Sequence, residues 1–165
     1  MTQTADFLRA AFAGESQTNR KYLAYAARAE EEGYPQAARL FRAAAESETV
    51  HAHNYLRALK EVRSTRENLQ GAISVETHAF QNRLPEMMAA ARKEGNPEAE
   101  RLFGYTLESE KIHARLFNKL LDTLEKPGEP VSYFICGECG HAAENQAPEA
   151  CPVCGAGSQR YRKTE

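Results

Sequence analysis

Apolar residues recur at intervals of three and four positions in four segments before residue 125. Such intervals place side chains on one face of a helix, so the pattern predicts an all-helical region. The predicted helices cover residues 4 to about 32, about 35 to 62, about 66 to 94 and about 97 to 124.

Glycines and prolines mark the limits of these helices. Gly33 and Gly95 are suitable helix stops, and Pro35 and Pro97 stand where a new helix begins. Pro85 falls inside the third segment, where we expect it to kink the helix.

Ionisable residues interrupt these apolar faces at regular places. A lone carboxylate buried on such a face is costly unless it meets a cation or lies at a solvated helix edge. The residues concerned are Glu15, Glu48, His51, Glu76, Glu110 and His113. By contrast, His53 and His78 face away from the apolar stripes and are expected at the surface.

The helical region contains an internal repeat. Residues 46–51 (Glu-Ser-Glu-Thr-Val-His) are nearly copied at residues 108–113 (Glu-Ser-Glu-Lys-Ile-His), and residues 32–41 resemble residues 94–103. The chain is therefore interpreted as a duplicated helical hairpin. Each half contributes one Glu from its first helix and one Glu-x-x-His pair from its second.

This set of side chains is typical of dinuclear metal sites inside four-helix bundles. Four carboxylates offset the charge of two divalent ions, and two imidazoles give each ion one nitrogen while leaving positions open. Burying the same six groups without a metal would be strongly unfavourable. Two irons fit this set, but manganese or zinc would fit it as well.

A second metal site is predicted in the tail. Lys126 to Pro130 has the composition of a linker, and all four cysteines follow it as two Cys-x-x-Cys pairs: Cys136, Cys139, Cys151 and Cys154. This spacing is typical of four thiolates around one zinc or iron ion. Disulfides are the alternative. The tail is too short to build its own core, so a metal must stabilise it.

These observations divide the chain into domains. We expect a helical domain at 1–125, a linker at 126–132 and a four-cysteine domain at 133–165.

Composition excludes several classes of partner. The 165 residues carry 21 basic and 23 acidic side chains, a net charge of −2, without a basic block. Nucleic acid is therefore not an expected partner. No apolar run approaches the roughly 18 residues that span a bilayer, and no signal-peptide pattern is present. We expect a cytoplasmic protein without a membrane partner.

Over nearly its whole length the chain resembles the rubrerythrins. The matching motifs are Gly14-Glu15-Ser16, Glu48-x-x-His51, Asn68-Leu69 before Glu76, Glu110-x-x-His113, Cys136-Gly-Glu-Cys139-Gly and Cys151-Pro-Val-Cys154-Gly. The resemblance implies a mainly α fold, with a ferritin-like di-iron four-helix bundle followed by a rubredoxin-like domain.

The resemblance also implies an activity, the reduction of hydrogen peroxide to water in defence against oxidative stress. Electrons would come from an NAD(P)H-linked reductase or a rubredoxin and pass through the four-cysteine iron. Tyr22 would act as a hydrogen-bond donor near the di-iron site; a core tyrosine is the alternative.

One departure from the family bears on function. Rubrerythrins usually carry a further Glu three residues after the position of Glu76, and this chain has Ala79 there. The alternative function is therefore a ferritin-type protein that oxidises iron or scavenges oxygen and carries a structural zinc ribbon. A non-enzymatic interaction module with structural metals is a third alternative.

The link between the second and third predicted helices bears on assembly. It has only three or four residues, which span at most roughly 14 Å. In a ferritin-like bundle these helices run parallel, and the return path is longer than that. The resemblance favours the parallel arrangement, so we expect a domain-swapped homodimer. Each site would take Glu15, Glu48 and His51 from one chain, and the other chain would supply Glu76, Glu110 and His113.

Overall fold

The computed structural model describes residues 2–126 and 128–164. Pro127, in the predicted linker, lies outside the described residues, as do Met1 and Glu165 at the ends of the two predicted domains. The mainly α fold is confirmed. The helices are α1 (Gln3–Glu31), α2 (Pro35–Leu59), α3 (Thr65–His78), α4 (Leu84–Lys93) and α5 (Pro97–Thr123). The strands are β1 (Tyr133–Cys136), β2 (Ala142–Glu144) and β3 (Tyr161–Lys163).

The described residues form two compact units, one ending at Arg63 and the other beginning at Ser64. The first unit is the hairpin of α1 and α2. Its core is made of alanines, of which Ala26, Ala38 and Ala45 are almost completely buried. Side chains this small let two helix backbones approach closely, so the register between α1 and α2 is tightly defined.

Helix α2 ends at Leu59, three residues before the predicted end, so that prediction was wrong. Lys60 adopts a left-handed conformation with φ 55° and ψ 34°. Its amide donates to the Arg57 carbonyl at 3.0 Å, and the Glu61 amide donates to the Leu56 carbonyl at 3.1 Å. A left-handed C-cap of this kind, which satisfies the last carbonyls of the helix, is normally formed by glycine. The sequence has Lys at this position, so the helix end could not be predicted from it.

The third predicted helix is interrupted rather than continuous. It begins as α3, capped by Ser64 and Glu67, and continues as a π-helical segment at Ala79–Arg83 before α4 starts. In a regular α-helix, Pro85 would clash with the carbonyl of Gln81 and leave it without a donor. The structure has a wider turn immediately before Pro85, in which the Leu84 amide donates to the Ala79 carbonyl five residues earlier. The interruption predicted at Pro85 is therefore a π segment that starts at Ala79.

The second unit contains α3, α4 and α5, with α5 packed against both of the other helices. Its tail is a three-stranded antiparallel sheet in the order β2-β1-β3.

Glycines shape the two cysteine loops of the tail. Gly140 and Gly155 have φ values of 81° and 77°, which only glycine adopts easily. Their amides fold back to the carbonyls of Cys136 and Cys151 at 3.0 and 2.9 Å. Each Cys-x-x-Cys pair thus sits in a tight loop.

Within the described residues, no helix combines the length and the apolar character needed to cross a membrane.

The left-handed residue at the end of α2 provides a test of this helix end. Replacing Lys60 with Gly should raise the free energy of unfolding by about 1 kcal/mol, because glycine has no Cβ to strain at positive φ. Replacing Arg57 with Gly, inside the last turn of α2, should lower it by about 1 kcal/mol. Thermal unfolding followed by circular dichroism measures both. Equal shifts of the same sign would contradict the helix end described here.

Candidate metal centres

The first ligand group consists of Glu15 from α1 with Glu48 and His51 from α2. Their ligand atoms all lie within 4.8 Å of one another. The Nδ1 atom of His51 is 2.9 Å from Oε2 of Glu48, as expected for residues three apart on a helix. The Glu48 side chain is 18% exposed and that of His51 is 49% exposed. The group therefore forms an open, half-buried cluster with two carboxylates and one imidazole.

The second ligand group consists of Glu76 from α3 with Glu110 and His113 from α5. These ligand atoms also lie within 4.8 Å of one another. The Nδ1 atom of His113 is 2.9 Å from Oε2 of Glu110 and 3.8 Å from Oε1 of Glu76. All three side chains are less than a third exposed. The two groups thus repeat the same local geometry, and all six residues singled out in the sequence belong to one or the other.

The raised pKa of a carboxyl in the second ligand group is what a cation-binding site without its cation would show. Burial raises the pKa of Glu76 from 4.5 to about 7, and hydrogen bonding to and repulsion from Glu110 add to the effect, while Arg83 opposes it. Without a cation, this pair of carboxylates therefore keeps a proton close to neutral pH. A divalent metal would replace that proton and favour the charged form of both carboxylates. Carboxylate and imidazole donors suit iron, manganese or zinc.

Asn19 supports the first ligand group and was missed in the sequence analysis. It lies one helical turn after Glu15 and is 6% exposed. Its Nδ2 donates to the Ala45 carbonyl at 2.7 Å and to the Thr49 hydroxyl at 2.8 Å. Its Oδ1 has no hydrogen-bond partner among the described residues. These bonds fix the register that brings Glu15 beside Glu48. In the sequence, the available indication was a polar residue four positions after a Glu on the apolar face.

Tyr22 lies in an aromatic cluster. Its ring centroid is 6.3 Å from that of Tyr25 and 6.0 Å from that of Phe41. Its role as a hydrogen-bond donor near the metal site stays a prediction.

Ala79 occupies the position of the family's additional Glu. It is 1% exposed and opens the π segment three residues after Glu76. A methyl group cannot coordinate a metal, so this position adds no ligand to the second group. His78 beside it is exposed, as expected from the sequence.

The cysteines of the tail form one group, called here the four-cysteine cluster: Cys136, Cys139, Cys151 and Cys154. All four are free thiols, so the disulfide alternative is wrong. The sulfurs of Cys136 and Cys154 are 3.7 Å apart, and those of Cys139 and Cys151 are 3.5 Å apart. Four sulfurs placed tetrahedrally at roughly 2.3 Å from one metal would be separated by roughly 3.8 Å. The cluster therefore has the size that a single zinc or iron ion requires.

The surroundings of the four-cysteine cluster favour a thiolate at one position. Burial raises the pKa of the Cys151 thiol, but hydrogen bonds from the Tyr161 hydroxyl and from the backbone amides of Cys154 and Val153 outweigh it and lower the pKa to about 6. Burial raises the pKa of the Cys139 thiol. The Tyr161 hydroxyl oxygen is also 2.8 Å from Nδ1 of His141. If Tyr161 donates to the Cys151 sulfur, then His141 must donate from Nδ1 to Tyr161.

The pKa of Glu76 provides a pH-dependent test on metal-free protein. Because the folded pKa is raised, the stabilisation by the bound proton is complete below about pH 4.5 and is lost as the pH rises through about 7. Glu76→Gln keeps the shape without this titration. Denaturant unfolding from pH 4 to 8 should show the wild type losing stability relative to Glu76→Gln as the pH rises. A constant difference between the two proteins would contradict the raised pKa.

Two protein-family models match the chain. The rubrerythrin model matches residues 6–121, and the model of the rubrerythrin rubredoxin-like domain matches residues 134–162. The first covers both ligand groups, and the second covers the four-cysteine cluster.

Similar whole proteins and structures agree with these matches. Rubrerythrin-2 of Clostridium acetobutylicum is 39% identical over 96% of this chain and 95% of its own length. Nigerythrin of Nitratidesulfovibrio vulgaris is 28% identical over 92% of this chain and 81% of its own. A structure of nigerythrin in a mixed-valence state is 27% identical, covers 99% of this chain and 88% of nigerythrin, and has a TM-score of 0.59. With both domains in the expected order, the chain belongs to the rubrerythrin family of iron-binding oxidoreductases.

Proposed function

We propose that this protein is a non-haem di-iron peroxide reductase. The reaction consumes one hydrogen peroxide, two protons and two electrons and yields two waters. The observation that carries the proposal is the presence, on one chain, of two carboxylate–imidazole groups and a four-thiolate cluster. A protein with the helical site alone could oxidise iron, whereas an added one-electron centre would suit repeated reduction of that site.

The ligand groups account for the redox part of the proposal. Irons held by these residues would supply the electrons and keep coordination positions open for peroxide. Glu15, Glu48, Glu76 and Glu110 would balance the metal charge, and His51 and His113 would each supply one nitrogen. The similarity to a fully reduced, all-ferrous nigerythrin structure, with a TM-score of 0.60, supports iron in these positions.

The four-cysteine cluster would deliver electrons one at a time. Thiolates suit both iron and zinc, but only iron changes its charge in such a site. The electron donor would be an NAD(P)H-linked reductase or a separate rubredoxin. A cytoplasmic location, where such donors are found, stays a prediction.

A complete six-ligand site requires one group from each unit. The link between α2 and α3 contains only residues 60–64, and five extended residues span at most roughly 18 Å. We therefore propose a domain-swapped homodimer, in which the first ligand group of one chain meets the second ligand group of its partner.

The first test compares two oxidants. Iron-loaded, reduced protein should be re-oxidised faster by hydrogen peroxide than by dissolved oxygen in stopped-flow spectroscopy. Glu110→Ala should abolish two-iron binding and this reaction, because it removes a ligand from the half-buried group. Glu108→Ala is the matched control, since Glu108 is exposed two residues earlier in the same helix. Equal rates with both oxidants would rule out the peroxide reductase.

The second test concerns assembly. Light scattering combined with metal analysis should give a dimer with two helical-site irons per chain. A monomer that retains both irons would exclude the swapped arrangement.

Ala79 supports a second candidate, a ferritin-type iron oxidase or oxygen scavenger with a structural zinc ribbon. The buried methyl group cannot bind a metal as the family's additional Glu would. Metal analysis of protein produced with ample iron separates the candidates. Zinc in the four-cysteine cluster would favour the iron oxidase, whereas a red, rubredoxin-like absorption would favour the peroxide reductase.

A further inference from the structure

The cysteine-containing tail rests directly on helix α5. The Ser109 hydroxyl donates to the Cys139 carbonyl at 2.9 Å, and Ser109 is 4% exposed. Further along the helix, the Lys119 ammonium lies 2.8 Å from both carboxylate oxygens of Glu144. Ten residues, or roughly 15 Å of helix, separate these two contacts. The tail is therefore held at two points along α5.

The metal-binding end of the tail is the end that faces α5. Cys139, whose carbonyl accepts the bond from Ser109, also supplies one of the four sulfurs. A Cβ atom added to Gly140 would lie 3.8 Å from the Ser109 hydroxyl, so the loop backbone approaches the helix closely. Val153, from the second Cys-x-x-Cys loop, lines a cavity together with Tyr105 and Glu108 of α5. Both cysteine loops thus meet the same helix.

The turn of α5 that receives the tail also carries part of the second ligand group. Ser109 immediately precedes Glu110, and His113 follows Ser109 by one helical turn. The path from the Cys139 sulfur to the Glu110 carboxylate therefore consists of covalent bonds and a single hydrogen bond.

The internal repeat shows that this contact is specific to the second half of the chain. Ser47 occupies the place of Ser109 in the first copy of the motif, between Glu46 and Glu48. Ser47 is exposed, whereas Ser109 is buried. The two helices bear the same ligand motif, but the serine of α5 is buried and contacts the tail, whereas the serine of α2 is exposed.

We propose that Ser109 is a positioning residue that holds the four-cysteine cluster against α5, so that electrons pass within one chain to the second ligand group. This proposal rests on the proposed function. In each transfer, one ferrous ion held by the four cysteines would become ferric, and one ferric ion held by the helical ligands would become ferrous. No bond between heavy atoms forms or breaks, and the external reductase restores the ferrous four-cysteine cluster.

The first experiment measures docking without any redox chemistry. Full-length zinc-loaded protein is compared by amide hydrogen exchange as wild type, Ser109→Ala, Ser109→Thr and Ser47→Ala. Loss of one buried hydrogen bond should speed exchange around Cys139 and Gly140 by about two- to tenfold in Ser109→Ala. Ser109→Thr keeps the hydroxyl and should retain most of the protection, and Ser47→Ala should match the wild type. Equal exchange in the two alanine variants would overturn the proposal.

The second experiment measures electron transfer in reduced, iron-loaded protein. After one equivalent of peroxide per helical site, the red colour of the ferric four-cysteine cluster should appear several-fold more slowly in Ser109→Ala than in Ser47→Ala. The preceding oxidation of the helical irons should keep its rate. Faster exchange with an unchanged rate of colour formation would overturn the electron-transfer role. If peroxide oxidises none of the proteins, the proposed function fails, while the exchange experiment still decides whether Ser109 docks the tail.

Discussion

The rest of this structure depends on one constraint, charge compensation at the two ligand groups of the helices and at the four-cysteine cluster of the tail. The helical part brings carboxylates together on half-buried faces, and the tail brings four thiols within 4.8 Å. Neither arrangement is favourable for a protein that lacks cations. The raised pKa of Glu76 shows the cost directly, since in the metal-free state this group holds a proton close to neutral pH. A metal removes that cost, and the tail requires one because its sheet has only three short strands.

Duplication provides the symmetry of the helical part, and the tail breaks it. Each hairpin supplies one Glu from its first helix and one Glu-x-x-His pair from its second, with the same 2.9 Å contact inside each pair. Only α5 is followed by the cysteine-containing tail, and only its serine is buried by it. Within the second unit, Glu110 of the second ligand group thereby follows directly on Ser109, which contacts the four-cysteine cluster.

The π segment begins at Ala79, the position where this chain departs from its family. A π-helical turn inside an α-helix shifts every later side chain around the axis, which changes the face that α4 presents to α5. The segment begins at Ala79, where a rubrerythrin usually carries another carboxylate. The six remaining ligands are sufficient for two metals. With Ala79 at this position, the side chain supplies no seventh ligand.

The sequence by itself determined the helical class, the duplicated hairpin, the six candidate ligand residues and the grouping of the four cysteines. These features depend on spacing: three residues place Glu48 beside His51 on any helix, and two Cys-x-x-Cys pairs bring four sulfurs to one ion. Only the tertiary structure decided the early end of α2 at Lys60, the π segment before Pro85, and the bonds made by Asn19 and Ser109. Position 60 is not a glycine, so the sequence does not mark this helix end. The hydrogen-bond partners of Asn19 and Ser109 lie 26 and 30 residues away along the chain. Such contacts depend on how elements pack, which local spacing does not encode.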